Sequence, residues 1–126
     1  MQLVNNITER VRLILMNDQN EYNETLTQVK GLYQYYIIGN NKKSVFTTKE
    51  SFVYCMEDYL KEEYENRIYD LIDNLDNLKT NDQNGLMLIK DLINVSLAYI
   101  DYKKLALNFI NTFLENENIK LELEGI

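Results

Sequence analysis

Apolar residues recur every three or four positions along most of the chain, and this spacing is the period of an α-helix. The first such segment covers residues 5–16 and is followed by the polar run NDQN, which indicates a turn. A second helix is predicted from Glu21 to Ile38, because Gly39 and the two asparagines after it are typical of a helix end. The first third of the chain is therefore predicted to form two helices.

The third helix has the clearest predicted start. Thr47 and Glu50 stand three positions apart, which is the spacing of a capping box, and an apolar run follows them. The helical period then continues without a breaker to about Lys79. Eight apolar positions predict that this helix faces the core along its whole length: Val53, Met56, Leu60, Tyr64, Ile68, Leu71, Leu75 and Leu78.

The last third of the chain contains a dense run of leucine and isoleucine, from Leu86 to Asn116, after a predicted turn at residues 80–85. The run is apolar on more than one side, which predicts the most buried element of the fold. Five side chains carry that prediction: Leu88, Ile89, Leu92, Ile93 and Leu97. Asp101 is also a candidate cap for a new helix at Tyr102, so one long helix and two shorter ones fit the pattern equally well.

Two segments also fit a β-strand pattern. In residues 33–47, the runs YQYYII and KSVFTT flank the turn-like GNNK, which fits a short hairpin. A helix is favoured over the first of these runs, because the apolar positions from Leu26 to Ile37 keep one helical phase. The alternating residues from Ile119 to Glu124 fit either a short C-terminal strand or an irregular tail.

The chain has no proline and only four glycines, and so few breakers are typical of long helices joined by short turns. Residues 1–126 show no linker and no internal repeat, and the length suits a single domain. We predict a mainly α-helical fold, an antiparallel bundle of four to five helices. The third helix and the 86–116 segment are expected to form its long central pair.

The net charge of −7 and the pI of about 4.6 narrow the choice of partners. An acidic chain is unsuited to binding nucleic acid directly or to binding anionic membranes, and it favours a basic protein surface. The single Cys55 cannot form an intramolecular disulfide, and neither a basic-then-apolar leader nor an 18-residue apolar run occurs. The expected location is the cytoplasm.

The residue types exclude much of the common catalytic chemistry. Without histidine there is no Ser–His or Cys–His nucleophile, and a zinc site lacks its usual ligands. Neither GxxxxGK[ST] nor GxGxxG occurs, so the common phosphate-binding loops are also missing. We therefore predict that the protein is not an enzyme and holds no cofactor or metal.

An enzymatic alternative rests on two pairs of carboxylates, Glu62 with Glu65 and Asp70 with Asp73. All-α nucleotide pyrophosphohydrolases, which depend on Mg²⁺, hold the ion with such pairs on two facing helices. Here both pairs lie on one predicted helix with only four residues between them. They would not converge on one ion, so this alternative ranks below a binding function.

The acidic residues of the third helix fall mostly on the side opposite its apolar positions, at 100° per residue. Residues 48–83 carry ten acids and four bases, so most of the net charge lies on this segment. Six residues form a candidate contact surface, called the acidic row from here on: Asp58, Glu62, Glu65, Tyr69, Asp73 and Asp76.

A row of carboxylates can imitate nucleic-acid phosphates and occupy a basic protein surface. We predict a small non-enzymatic inhibitor of a host defence or nucleic-acid-binding protein, of the kind that phages and mobile elements encode. One alternative is an immunity protein that neutralises a basic toxin through the same row. Another is a structural homodimer, held by the apolar surplus between Leu88 and Leu97.

Overall fold

The computed structural model describes residues 2–76, 81–123 and 125, without the side chains of residues 2–6 and 76. Within these ranges the chain forms five α-helices, one short π-helix and no strand, so the predicted mainly α-helical bundle is confirmed. The elements in chain order are α1 (Gln2–Asn17), α2 (Gln19–Tyr33), a π-helix (Gln34–Ile38), α3 (Thr48–Asp76), α4 (Gln83–Leu97) and α5 (Tyr102–Asn116).

Polar caps determine where α3 and α5 begin. The predicted capping box forms: the Glu50 N–H donates to Thr47 Oγ1 at 3.1 Å, and the Thr47 N–H donates to Glu50 Oε1 at 3.0 Å. Asp101 caps α5 by accepting a hydrogen bond from the Lys104 N–H at 3.0 Å. Because this cap starts a new helix, residues 86–116 form two helices rather than one.

The hydrophobic core lies where α2, α3 and α5 meet, and α1 closes one side of it. Its centre is formed by fully buried side chains: Val29, Phe52, Met56, Leu105, Phe109 and Ile110. Tyr33 packs beside this centre, with its ring 6.0 Å from that of Phe52 and 5.5 Å from that of Phe113. Burial of each large apolar side chain stabilises the fold by roughly 1.5–3 kcal/mol.

Along α3, contact with the core extends from its start to about Tyr64, so the predicted core contact along its whole length is wrong. Val53, Met56 and Leu60 are buried, whereas Leu71 is 60% exposed. The central pair of helices consists of α3 and α5, without α4. Helix α5 has 15 residues, whereas α3 has 29. At 1.5 Å per residue, a helix of about 22 Å cannot cover one of about 44 Å. The predicted end near Lys79 lies outside the described residues.

The prediction that the 86–116 run is the most buried element holds for its second part, α5, which has seven buried side chains, but it is wrong for its first part, α4. Leu88, Ile89 and Leu92 are at least half exposed, and only Leu86 and Leu97 are buried. The cause is the position of α4, which packs beside the second half of α3 and away from the α2–α3–α5 core. One apolar side of α4 meets a neighbour there, and the other side faces solvent.

The hairpin considered for residues 33–47 does not form. The helix continues through this segment as the π-helix, in which the Gly39 N–H donates to the Gln34 carbonyl oxygen at 2.9 Å. Residues 39–47 then form an irregular loop that leads to the α3 cap. The helical phase therefore outweighs the local strand propensity, because it places Tyr33, Tyr36 and Ile37 against the core.

No C-terminal strand forms within residues 119–123. Asn118 adopts a left-handed φ of 55° and turns the chain away from α5. Ile119, Leu121 and Leu123 then pack against the core as partly buried side chains, which accounts for the alternating pattern. A strand would also need a neighbouring strand to pair its backbone, and the described ranges contain none.

Candidate functional site

The acidic row lies on α3, and four of its six residues are exposed. Asp58, Glu62, Tyr69 and Asp73 all reach solvent, as their helical phase predicts. From the first to the last of them, α3 extends about 22 Å at 1.5 Å per residue. These four residues place three carboxylates and one aromatic ring along a continuous helix.

The other two members of the row differ from this arrangement. Glu65 is half-buried in a cavity of about 450 Å³, where Lys61 and Tyr69 of α3 meet Asn94 of α4 and Tyr102 of α5. The side chain of Asp76 lies outside the described residues. The exposed part of the row is therefore the pair Asp58 and Glu62, followed by Tyr69 and then Asp73.

Tyr102 forms the buried wall of this cavity. Its side chain is 7% exposed, and its hydroxyl group forms no hydrogen bond with the described residues. Burial raises the pKa of this hydroxyl, and the nearby Glu65 carboxylate adds to the rise. Glu65 is less exposed than Asp58 or Glu62, and it is therefore less available to a protein partner.

Within the described residues, the carboxylates of the exposed row form no ion pair. The ion pairs of Arg12 with Glu9 and of Arg67 with Glu21, the second at 3.3 Å, lie outside the row. Glu57, next to the row on the same helix, is half-buried. Its pKa is raised mainly by burial and then by the neighbouring Asp58 carboxylate, while Lys103 and Lys61 lower it.

A second acidic cluster, which the sequence analysis missed, lies where the start of α2 meets α3. It consists of Asp18, Glu21, Glu24 and Glu63. Burial raises the pKa of Glu21 and the ion pair with Arg67 lowers it, while the three other carboxylates raise it further. The three-residue steps from Asp18 to Glu24 could have indicated part of this cluster, but only the folded chain shows that Glu63 joins it.

The remaining candidate chemistry shows no arrangement typical of catalysis. Cys55 is half-buried, and its sulfur lies 3.1 Å from the Tyr36 hydroxyl, a contact that raises the pKa of Tyr36 to about 12. The carboxylate pairs considered for Mg²⁺ all lie on the single helix α3. Among the residues that the structure describes, no three acidic or cysteine side chains come together as a metal site.

No family model, curated protein or solved structure matches the chain. Within the described residues, none of the helices combines the length and the apolar character needed to cross a lipid bilayer.

Proposed function

We propose that the protein acts by binding rather than by catalysis, and that the acidic row of α3 occupies a basic surface on another protein. That surface is of the kind that normally binds nucleic acid. In this proposal the protein is an inhibitor of a host defence or nucleic-acid-binding protein, encoded by a phage or mobile element, and it binds neither nucleic acid nor membranes.

The observation that carries the proposal is the set of exposed carboxylates Asp58, Glu62 and Asp73, none of which forms an ion pair with another described residue. Unpaired charges of one sign attract an oppositely charged surface over a distance of about 8–10 Å in physiological salt. Such attraction raises the rate of association and excludes partners of the same sign. Tyr69, 44% exposed between these carboxylates, supplies the rigid aromatic side chain that is common at the centres of interfaces.

The experiment is a binding screen of the immobilised protein against purified basic proteins: restriction nucleases, CRISPR nucleases and basic ribonuclease toxins. We expect at least one nuclease to bind, duplex DNA to compete with that binding, and affinity to fall as salt rises. The triple variant D58K/E62K/D73K should weaken the complex at least about tenfold, because it turns attraction into repulsion.

A matched control separates the effect of position from that of total charge. The variant E115K/E117K/E122K also reverses three exposed carboxylates, near the end of α5, and each reversal adds two units to the net charge of −7. It should bind almost as well as the wild-type protein. Equal losses in both variants, or no binding to any nuclease, would contradict the proposal, whereas binding only to a toxin would favour the immunity alternative.

A further inference from the structure

Helix α4 carries apolar side chains on two opposite sides. Its inner side, which packs toward α3, consists of Leu86, Ile93 and Leu97. At 100° per residue, Leu88, Leu92 and Val95 lie within about 60° of one another on the opposite side. Tyr99, just beyond the end of the helix, continues the same line. These four residues, Leu88, Leu92, Val95 and Tyr99, are called the outer stripe from here on.

The outer stripe is exposed and is flanked by more apolar surface. Its three aliphatic side chains, together with Met87 and Ile89 beside them, are each 50–60% exposed. The steps of four, three and four residues along the stripe match the seam by which two helices pack against each other in a coiled coil. Leu92 and Ile89 also line the cavity of about 340 Å³ between α4 and α3, and no helix of the described residues packs on the rest of this side. The stripe therefore has the pattern of a helix–helix contact along the exposed side of α4.

The area of the outer stripe supplies most of the apolar surface that a homodimer needs. At about 100 Å² for each of its four side chains, the stripe exposes roughly 400 Å², which is within the range of the largest apolar patches on ordinary monomers. A standard interface buries about 800 Å² on each partner, and about 65% of a homodimer interface is apolar. The apolar part of such an interface is thus about 520 Å² on each copy.

The charge of the surface points to the same occupant. The charged residues of α4 are Lys90 and Asp91, so the helix is neutral in a chain of net charge −7. A neutral apolar stripe offers nothing that would select a strongly basic or acidic partner. A second copy offers an identical stripe, and a two-fold axis brings the same surface together from both sides.

We propose that the outer stripe is the two-fold interface of a homodimer, with the two copies of α4 packed antiparallel. In this arrangement Leu92 of one copy lies against Val95 of the other, and Leu88 lies against Tyr99. Asp91 then flanks Ala98 of the other copy, so like charges are not adjacent. No residue of the acidic row belongs to this interface, although Ala98 at its edge lines the same cavity as Glu65 and Tyr69. The two proposals are tested with different variants, so either can fail without the other.

Sedimentation equilibrium of the full chain, from micromolar to submillimolar concentration, tests the proposal. The wild-type protein should show twice its 15.0 kDa monomer mass. The variant Val95→Lys places two cations in the interface and should raise the dissociation constant at least about 100-fold. Because lysine is a good helix former and suits a helix C-terminus, the monomer should keep its helical circular dichroism.

Two further variants separate loss of the dimer from loss of folding. Val45→Lys is the matched control, since Val45 is 88% exposed in the loop before α3, about 20 Å of helix from the first α3 residue that shares a cavity with α4. It should leave the dimer intact. Leu88→Gln introduces no charge, and it should also weaken the dimer. It replaces Val95→Lys as the test if that variant does not fold. A wild-type monomer at all concentrations, or a dimer that neither stripe variant weakens, would overturn the proposal.

Discussion

The hydrogen bond between Thr8 and Asp101 joins α1 to the start of α5, and its removal should lower the free energy of unfolding measurably. Thr8 lies on α1 and is 1% exposed, and its Oγ1 accepts the Asp101 N–H at 2.9 Å. Thr8→Val keeps the shape and the helix propensity but leaves that half-buried N–H without an acceptor. An unpaired buried donor costs about 1–3 kcal/mol. Because Asp101 is only half-buried, we expect a loss of about 1–2 kcal/mol in the free energy of unfolding.

Urea denaturation followed by circular dichroism measures this loss as a lower midpoint with an unchanged slope. The matched control is Thr27→Val, because the Thr27 hydroxyl is exposed and donates only to the Asn23 carbonyl oxygen within α2. That control should change the free energy of unfolding by less than about 0.5 kcal/mol. If Thr8→Val costs no more than Thr27→Val, the bond between α1 and the start of α5 does not hold the fold together as we infer.

Three other predictions concern stability. Thr47→Ala should cost about 1 kcal/mol in urea denaturation, and Glu50→Ala in the same chain should add little because the capping box is already broken. Phe52→Ala should cost about 3–5 kcal/mol, whereas Leu71→Ala, at a 60% exposed position of the same helix, should cost far less; equal losses would contradict the described core. Glu57→Gln should raise the free energy of unfolding at pH 7. Burial raises the pKa of Glu57 in the folded state, so its ionisation opposes folding as pH rises. Urea denaturation at pH 3, where Glu57 is protonated in both the folded and the unfolded state, should show no such gain.

The features that the sequence predicts correctly depend on neighbouring residues. The capping box at Thr47 and the cap at Asp101 need only side chains three positions away, and both are present. The exposure of Asp58 and Glu62 likewise follows from the phase of one helix. Such signals lie within one or two helical turns, so they can be found without knowing how the helices pack.

The features that the sequence fails to predict depend on which helices pack against each other. Leu88 and Leu97 are both leucine and both on apolar sides of α4, yet one is 59% exposed and the other is buried. The difference arises because only one side of α4 has α3 next to it. Glu65 is half-buried for a similar reason, since Asn94 and Tyr102 lie across the cavity from it. Hydrophobic periodicity shows how many apolar sides a helix has, and tertiary packing decides which of them are covered.

The molecule therefore has two parts that differ in packing. The first half of α3, from Thr48 to about Leu60, is enclosed by α2 and α5 and holds the buried centre of the core. The second half and α4 form an arm in which Leu71 and the outer stripe are exposed. A partner that binds the folded state stabilises that state by mass action. An arm with few buried contacts would therefore be stabilised by a partner that covers it. A dimer through α4 would supply the burial that the arm lacks, and it would leave the start of the acidic row, at Asp58 and Glu62, exposed where the well-packed half of α3 ends.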